Sequence, residues 1–328
     1  MSSDAPDSPS PESTAKPARS GHQVTNPTAP KHRDVPCFLL SGGLGTRLRS
    51  VEARPKALVP VAGIPFILLL IRALHLQGFQ TVHFLLGHGA KDVVKVLNGD
   101  TPWAEFDPRY DQRLEPWLAE VRREMTWHFH VETEPMGTGG ALGLARGAFA
   151  PVNLVLNADS HVEIVYEDLL AALDRGVSSS AGASTKGASG GGASTAGVSG
   201  EGAPPRAGAL GASAVGALAA VWMQDRSDYG GLDLDPNGRV RGFLEKGASD
   251  AGWINAGAYL LTENALRSLP EGPSSLERDL LPALARAGRL YALAGRAYFR
   301  DIGTPKRLAE ARQEMPAWIR RMEDGGEI

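Results

Sequence analysis

Three segments carry residue types suited to handling phosphate. Ser41-Gly42-Gly43-Leu44-Gly45-Thr46-Arg47-Leu48 follows the apolar run Val35 to Leu40. Glycines let backbone N–H groups approach phosphate oxygens, and an arginine in the same loop adds a bidentate donor. The spacing fails a Walker A loop, which ends in Gly-Lys-Ser/Thr where Thr46-Arg47 stands. It also fails the dinucleotide fingerprint counted from Gly43, which needs glycine where Leu48 stands. A tight turn explains a lone glycine loop about as well. Next comes Arg54-Pro55-Lys56-Ala57-Leu58, in which Pro55 pins the backbone before Lys56, a point cation that suits a polyphosphate. By itself such a lysine is an ordinary surface charge. Asp159 and Asp301 each follow an apolar strand-like run, where an isolated aspartate is more often a cap or turn former. His128 and His130 share a strand face but lack an evident third ligand, which favours a structural role. No Gly-x-Ser-x-Gly run stands at a strand-to-helix elbow, and no Cys–His pairing supports nucleophilic hydrolysis.

The elements that must position these residues alternate. Val35–Leu40, Thr81–Leu86, Trp127–Val131 and Val152–Leu156 read as strands, and Phe66–Leu76, Lys91–Leu97, Gln112–Arg123 and Gly139–Arg146 as helices. This alternation implies a mainly parallel sheet covered by helices, in an α/β domain over about 35–318. A Gly/Ala/Ser/Thr stretch at about 176–213 is expected to be a flexible insertion. Beyond it we expect strands at Ala214–Gln224, Val240–Leu244, Ile254–Leu261 and near Ala297–Phe299. Helices are expected over Leu276–Ala287 and from Pro305 towards Trp318. Residues 1–34 read as a disordered Ser/Pro/Ala-rich tail and 319–328 as a C-terminal tail.

With 328 residues, 42% of them hydrophobic, the chain can build an ordinary core. Its formal charge of −3 points to neither a nucleic acid nor a membrane partner. The run Ile64 to Ile71 is too short to span a bilayer, and the N-terminal stretch has no secretory apolar region. A cytoplasmic location is expected by elimination. The single cysteine, Cys37, excludes an internal disulfide and a Cys-based zinc site.

Taken together the motifs resemble those of the sugar-1-phosphate nucleotidylyltransferases. Gly-Gly-Leu-Gly-Thr-Arg-Leu and Pro-Lys are similar to the family's opening signature. Glu134-Pro135-Met136-Gly137-Thr138-Gly139-Gly140 looks like its base-binding loop, and Asn157-Ala158-Asp159 stands where Asn-Gly-Asp is usual. Phe243-Leu244-Glu245-Lys246, Asn255-Ala256-Gly257 and Asp301-Ile302-Gly303-Thr304-Pro305 resemble its later motifs, in order. Within the family the chain looks most like heptose-1-phosphate and mannose-1-phosphate guanylyltransferases, helped by Leu48-Arg49-Ser50-Val51.

The resemblance implies a Rossmann-like, glycosyltransferase-A type fold with a mixed, mainly parallel sheet. It implies that a nucleoside triphosphate and a sugar 1-phosphate give an NDP-sugar and pyrophosphate, with Mg²⁺ on Asp159 and Asp301. Arg47 and Lys56 would neutralise the triphosphate, and Lys246 would hold the sugar phosphate. Leu40, Gly42, Gly43, Gly45, Thr46, Glu134, Gly137, Thr138 and Gly139 would form the nucleotide site, with Glu134 as the guanine acceptor. Glu245, Asn255 and Gly140 would contact the sugar, and a homo-oligomer is possible. Ala57 replaces a common proline, and Ala158 replaces a glycine whose backbone angle alanine could disallow. Two rivals remain open at this point. One is a catalytically inactive nucleotide-sugar-binding regulatory subunit, and the other uses UTP, dTTP or CTP with glucose 1-phosphate.

Overall fold

The computed structural model describes residues 32–43, 45–100, 114–184, 210, 213, 215–247 and 250–323. Its centre is β1 (Cys37–Ser41), whose Cys37, Phe38 and Leu39 are fully buried. A strand buried on both faces must be apolar throughout, which is why Val35 to Leu40 shows no alternation. The hairpin β2 (Pro60–Val61) and β3 (Ile64–Pro65) leads into α1 (Phe66–Leu76). At its turn Ala62 takes φ +53, the left-handed region that glycine or asparagine occupies with less strain.

Strand β4 (Thr81–Leu86) pairs parallel with β1 and is followed by α2 (Ala90–Asn98) and α3 (Leu114–Glu124). The edge strand β5 (Thr126–Val131) pairs parallel with β4. After α4 (Gly137–Leu144), β6 (Val152–Asn157) returns to pair parallel with the other edge of β1. The short β7 (Ser160–Val162) precedes α5 (Tyr166–Ser184).

α5 corrects one expectation, because it runs to Ser184, well into the stretch read as a flexible insertion. Tyr166, Leu169, Ala172 and Leu173 form a buried stripe at helical spacing, and the helix continues through small residues that tolerate it. Apart from Leu210 and Ser213, the rest of that stretch lies outside the described residues, as do residues 1–31 and 324–328 of the proposed tails.

The later strands make the sheet mixed. β8 (Gly216–Met223), β9 (Gly231–Leu234) and β10 (Val240–Leu244) precede the long β11 (Gly252–Thr262). The C-terminal half of β11 lies antiparallel to β6, and its N-terminal half lies antiparallel to β9. Its opposite edge is antiparallel to β8, on which β12 (Leu290–Gly295) adds a parallel strand. Asp235 accepts hydrogen bonds from the backbone N–H groups of Asn237 and Arg239, closing the β9–β10 turn. Between β11 and β12 lie α6 (Glu263–Arg267), a π-turn at Leu276–Leu280 and α7 (Leu281–Arg286). The expected single helix over Leu276–Ala287 is thus divided. The chain ends through β13 (Phe299–Asp301) and α8 (Pro305–Glu323). One sheet face packs on α1, α5 and α8, and the other on α4 and α7. No described helix is long and apolar enough to cross a membrane.

His128 and His130 do have a third histidine beside them. His83 lies opposite His128 in the β4–β5 ladder and stacks on it at 4.6 Å, with Phe38 at 4.8 Å. His83 Nδ1 is 3.0 Å from His130 Nε2. The three rings stack on one another and on Phe38, so they serve as packing. Burial, reinforced by the other two histidines, pushes the His83 pKa down to about 4. Below the ordinary pKa of about 6.5 the unfolded chain therefore binds this proton first. Stability should fall as pH drops from about 6.5 towards 4, His83 contributing up to about 1.4 kcal/mol per pH unit. Urea unfolding at several pH values should show a shallower slope for His83→Phe. Identical slopes would exclude His83 as the cause.

Candidate active site

The glycine loop opens at the C-terminal end of β1, where ligands of parallel α/β sheets usually sit. Gly45 takes φ +60, and the Leu48 N–H donates to its carbonyl at 2.9 Å, so the loop turns sharply there. Around it lies a cavity of about 310 Å³, lined by Leu40, Gly43, Gly45, Thr46, Arg47, Lys56, His88, Ala158 and Asp159. Arg47 is exposed and has no partner among the described residues. Lys56 follows Pro55 at the start of a 3₁₀ turn, and its ammonium pairs with Asp159. Ala57 and Ala158 are both buried. Ala158 has an ordinary backbone conformation, because Ala62 is the sole described non-glycine residue with positive φ. Alanine at 158 therefore carries no backbone strain.

A second cavity of about 380 Å³ shares Leu40, Gly43 and Asp159 with the first, so the two form one groove. Its other walls include Gly42, Glu132, Gly137, Thr138, Asn157 and Glu277. Glu134 does not line it and is exposed, whereas Glu132 faces in. Burial raises the Glu132 pKa, and a hydrogen bond from the Met136 N–H partly offsets this. Two residues apart, the two glutamates would share one face of a continuing strand, so no periodic signal separates them. Thr138 Oγ1 donates to Glu277 at 2.7 Å and accepts from the Leu276 N–H at 2.8 Å. No motif marked Glu277.

Residues 137–140 form the first turn of α4 instead of an open loop. The N–H groups of Gly139 and Gly140 both donate to the Ser274 carbonyl, at 2.9 and 3.3 Å. Neither glycine lines the groove, and both pack against the 272–274 turn. Expected at the nucleotide and the sugar, these two glycines instead seat α4 against that turn.

Asp159 and Asp301 meet through the ribbon β7–β13. Asp301 pairs with Ser160, and the Ile302 N–H donates to the Asp159 carbonyl at 3.0 Å. Their environments differ. Asp159 opens into the groove, accepting from Ser160 Oγ at 2.9 Å. Asp301 is buried and lines neither cavity; it accepts from Arg307 Nη1 at 2.7 Å, the Gly303 N–H at 2.8 Å and the Tyr229 hydroxyl at 2.5 Å. Two carboxylates joined in this way are hard oxygen donors of the kind Mg²⁺ takes, with phosphate oxygens completing its shell. Asp159 is the accessible one.

The expected sugar residues are spread out. Asn255 donates to the Tyr259 hydroxyl at 2.9 Å and accepts from the Gly257 N–H at 3.1 Å, on the β11 segment beside β9. Glu245 and Lys246 are exposed just past β10 and line neither cavity.

A glycine loop and an aspartate at the ends of parallel strands, with a lysine between them, have the composition of a nucleotide-handling site. Residues 37–189 and 206–317 match the Nucleotidyl transferase family, and the chain belongs to it. It is 26% identical over 276 residues to the mannose-1-phosphate guanyltransferase of Emericella nidulans, covering 82% of this chain and 61% of that protein. Against the mannose-1-phosphate guanylyltransferase of Mycobacterium tuberculosis it is 27% identical over 278 residues, covering 83% and 62%. The chain thus spans about three fifths of the length of these curated relatives. Among solved structures, HddC from Yersinia pseudotuberculosis matches with TM-score 0.61 and 27% identity, over 86% of this chain and 99% of that one. HddC has also been solved in complex with GMP-PN.

Proposed function

We propose that this chain is a sugar-1-phosphate guanylyltransferase, joining GTP to a mannose- or heptose-type sugar 1-phosphate and releasing pyrophosphate. The observation that carries this reading is the single groove in which Asp159 joins two chemically distinct halves. One half offers Arg47 and Lys56 to phosphates. The other offers the Glu132 carboxylate, an acceptor for guanine N1–H and N2–H₂, in place of Glu134. The guanylyltransferase names of the relatives and the GMP-PN complex of HddC support the same base.

In this reading a sugar-phosphate oxygen attacks the α-phosphorus in line and pyrophosphate departs. The attacking oxygen is already ionised, so no general base is required, and positioning with charge neutralisation does the work. Mg²⁺, held by Asp159 with Asp301 behind it, would supply positive charge at the phosphates. Lys56 and Arg47 neutralise the triphosphate, Glu132 orients the base, and Leu40, Gly42 and Gly43 line the passage between them. Asn255, Glu245 and Lys246 are assigned to the sugar side.

Pyrophosphate release with Mg²⁺, crossing four nucleoside triphosphates against mannose, heptose and glucose 1-phosphates, tests the reading. Turnover should require GTP and a manno-type sugar. Glu132→Ala should cut kcat/KM for GTP by at least about tenfold, since a site built around a hydrogen bond discriminates by this much or more. Turnover only with UTP or dTTP and glucose 1-phosphate would overturn the base and sugar assignment. No turnover with any pair would overturn the enzymatic reading.

A further inference from the structure

The phosphate half of the groove has a further polar side chain, which belongs to none of the motifs. His88 lies on the Gly87–Gly89 turn between β4 and α2, and lines the cavity with Thr46, Arg47 and Lys56. Its Nε2 is 3.2 Å from Nη2 of Arg49. A guanidinium can only donate, so Nε2 accepts and a neutral ring carries its hydrogen on Nδ1. That Nδ1–H has no partner among the described residues.

The turn is tied mechanically to Lys56. Gly89 has φ +77, and a Cβ there would meet Pro55 Cγ at 2.5 Å. The residue before Lys56 therefore packs directly on the residue after His88, and the two side chains stand on one rigid wall. His88 lines only the half of the groove that holds Arg47 and Lys56, and is absent from the half with Glu132 and Glu277. A nucleotide with its base in that second half would place its α-phosphate at the Asp159 junction and its β- and γ-phosphates beside His88.

We propose that His88, oriented by Arg49, is a ligand of the pyrophosphate leaving group and donates Nδ1–H to one of its oxygens. The inference rests on the nucleotidyl-transfer reading above. When the bond from the α-phosphorus to the bridging oxygen breaks, its electron pair leaves on pyrophosphate. His88 transfers no proton and stabilises this added charge by a charge-assisted hydrogen bond.

The reverse reaction isolates the effect, because GDP-mannose and inorganic pyrophosphate enter as separate substrates. His88→Ala should raise KM for pyrophosphate about tenfold or more, the loss of one hydrogen bond to a charged group, while KM for GDP-mannose stays within twofold. His88→Gln, which keeps an N–H donor, should remain within about threefold of the parent for pyrophosphate. Arg49→Ala should raise the same constant by less than His88→Ala does. His88 is exposed, so the variants should melt with the parent. A pyrophosphate KM unchanged in His88→Ala, or both constants rising together, would overturn the proposal. If the parent turns over no nucleotide sugar, the function reading fails. Calorimetric titration of pyrophosphate with Mg²⁺ then still decides the point, since the parent should bind at least tenfold tighter than His88→Ala.

Discussion

Asp159→Asn should lower kcat by roughly 10²–10³-fold, the usual cost of removing a major electrostatic stabiliser at a reacting centre. The replacement keeps the side chain's size and one oxygen for Ser160 Oγ, and removes only the charge. It also removes the ion pair with Lys56, but that pair is partly open, with 35% of the Asp159 side chain exposed. Exposed pairs contribute at most about 1 kcal/mol, so the melting temperature should move by only a few degrees. Rate and stability therefore separate. Single-turnover measurements at saturating nucleotide, beside thermal melts, provide the check. A variant that keeps more than a tenth of the parent kcat would exclude Asp159 as the charge at the reacting phosphorus. A binding module, by contrast, would change only in affinity.

The opposite separation is expected at Arg307, where stability should fall by about 3–5 kcal/mol on replacement by alanine. Asp301 and Arg307 are almost fully enclosed, with side chains 6% and 12% exposed. Removing the guanidinium strands a buried carboxylate on the remaining Gly303 and Tyr229 donors. It also removes the cation from above the Tyr229 ring, 4.8 Å from its centroid. Burial, and then the Asp301 charge, raise the Tyr229 pKa above the usual range, so this phenol stays a donor and cannot replace the lost charge. Urea denaturation should find Arg307→Ala far less stable than the double variant Arg307→Ala/Asp301→Asn, in which the stranded charge is gone. If the double variant is as unstable as the single one, the loss comes from packing and the ion-pair account is wrong.

Local patterning was enough to place the elements whose burial is one-sided or complete. Phe66–Leu76 and Thr81–Leu86 are read with their observed bounds because eleven residues of apolar helix and six of buried strand leave no competing period. The glycine loop was legible because its position after β1 is a matter of chain neighbours. The small-residue end of α5 was not, since alanine, serine and glycine carry no periodic signal once the buried stripe ends.

Everything that depends on contacts between distant segments belonged to the tertiary structure. β7 and β13 are three residues each, too short to show a period, and they exist because they pair with each other and bring Asp301 beside Asp159. Glu132 and Glu134 look equivalent as letters, but the path of the chain past β5 turns only Glu132 into the groove. Gly139 and Gly140 read as ligand-facing until the 272–274 turn takes up their N–H groups. His88 and Glu277 acquire meaning only from the walls they share with Lys56 and Thr138. Apolar periodicity is a property of neighbouring residues, whereas a site is a convergence of polar groups, and convergence is decided by packing.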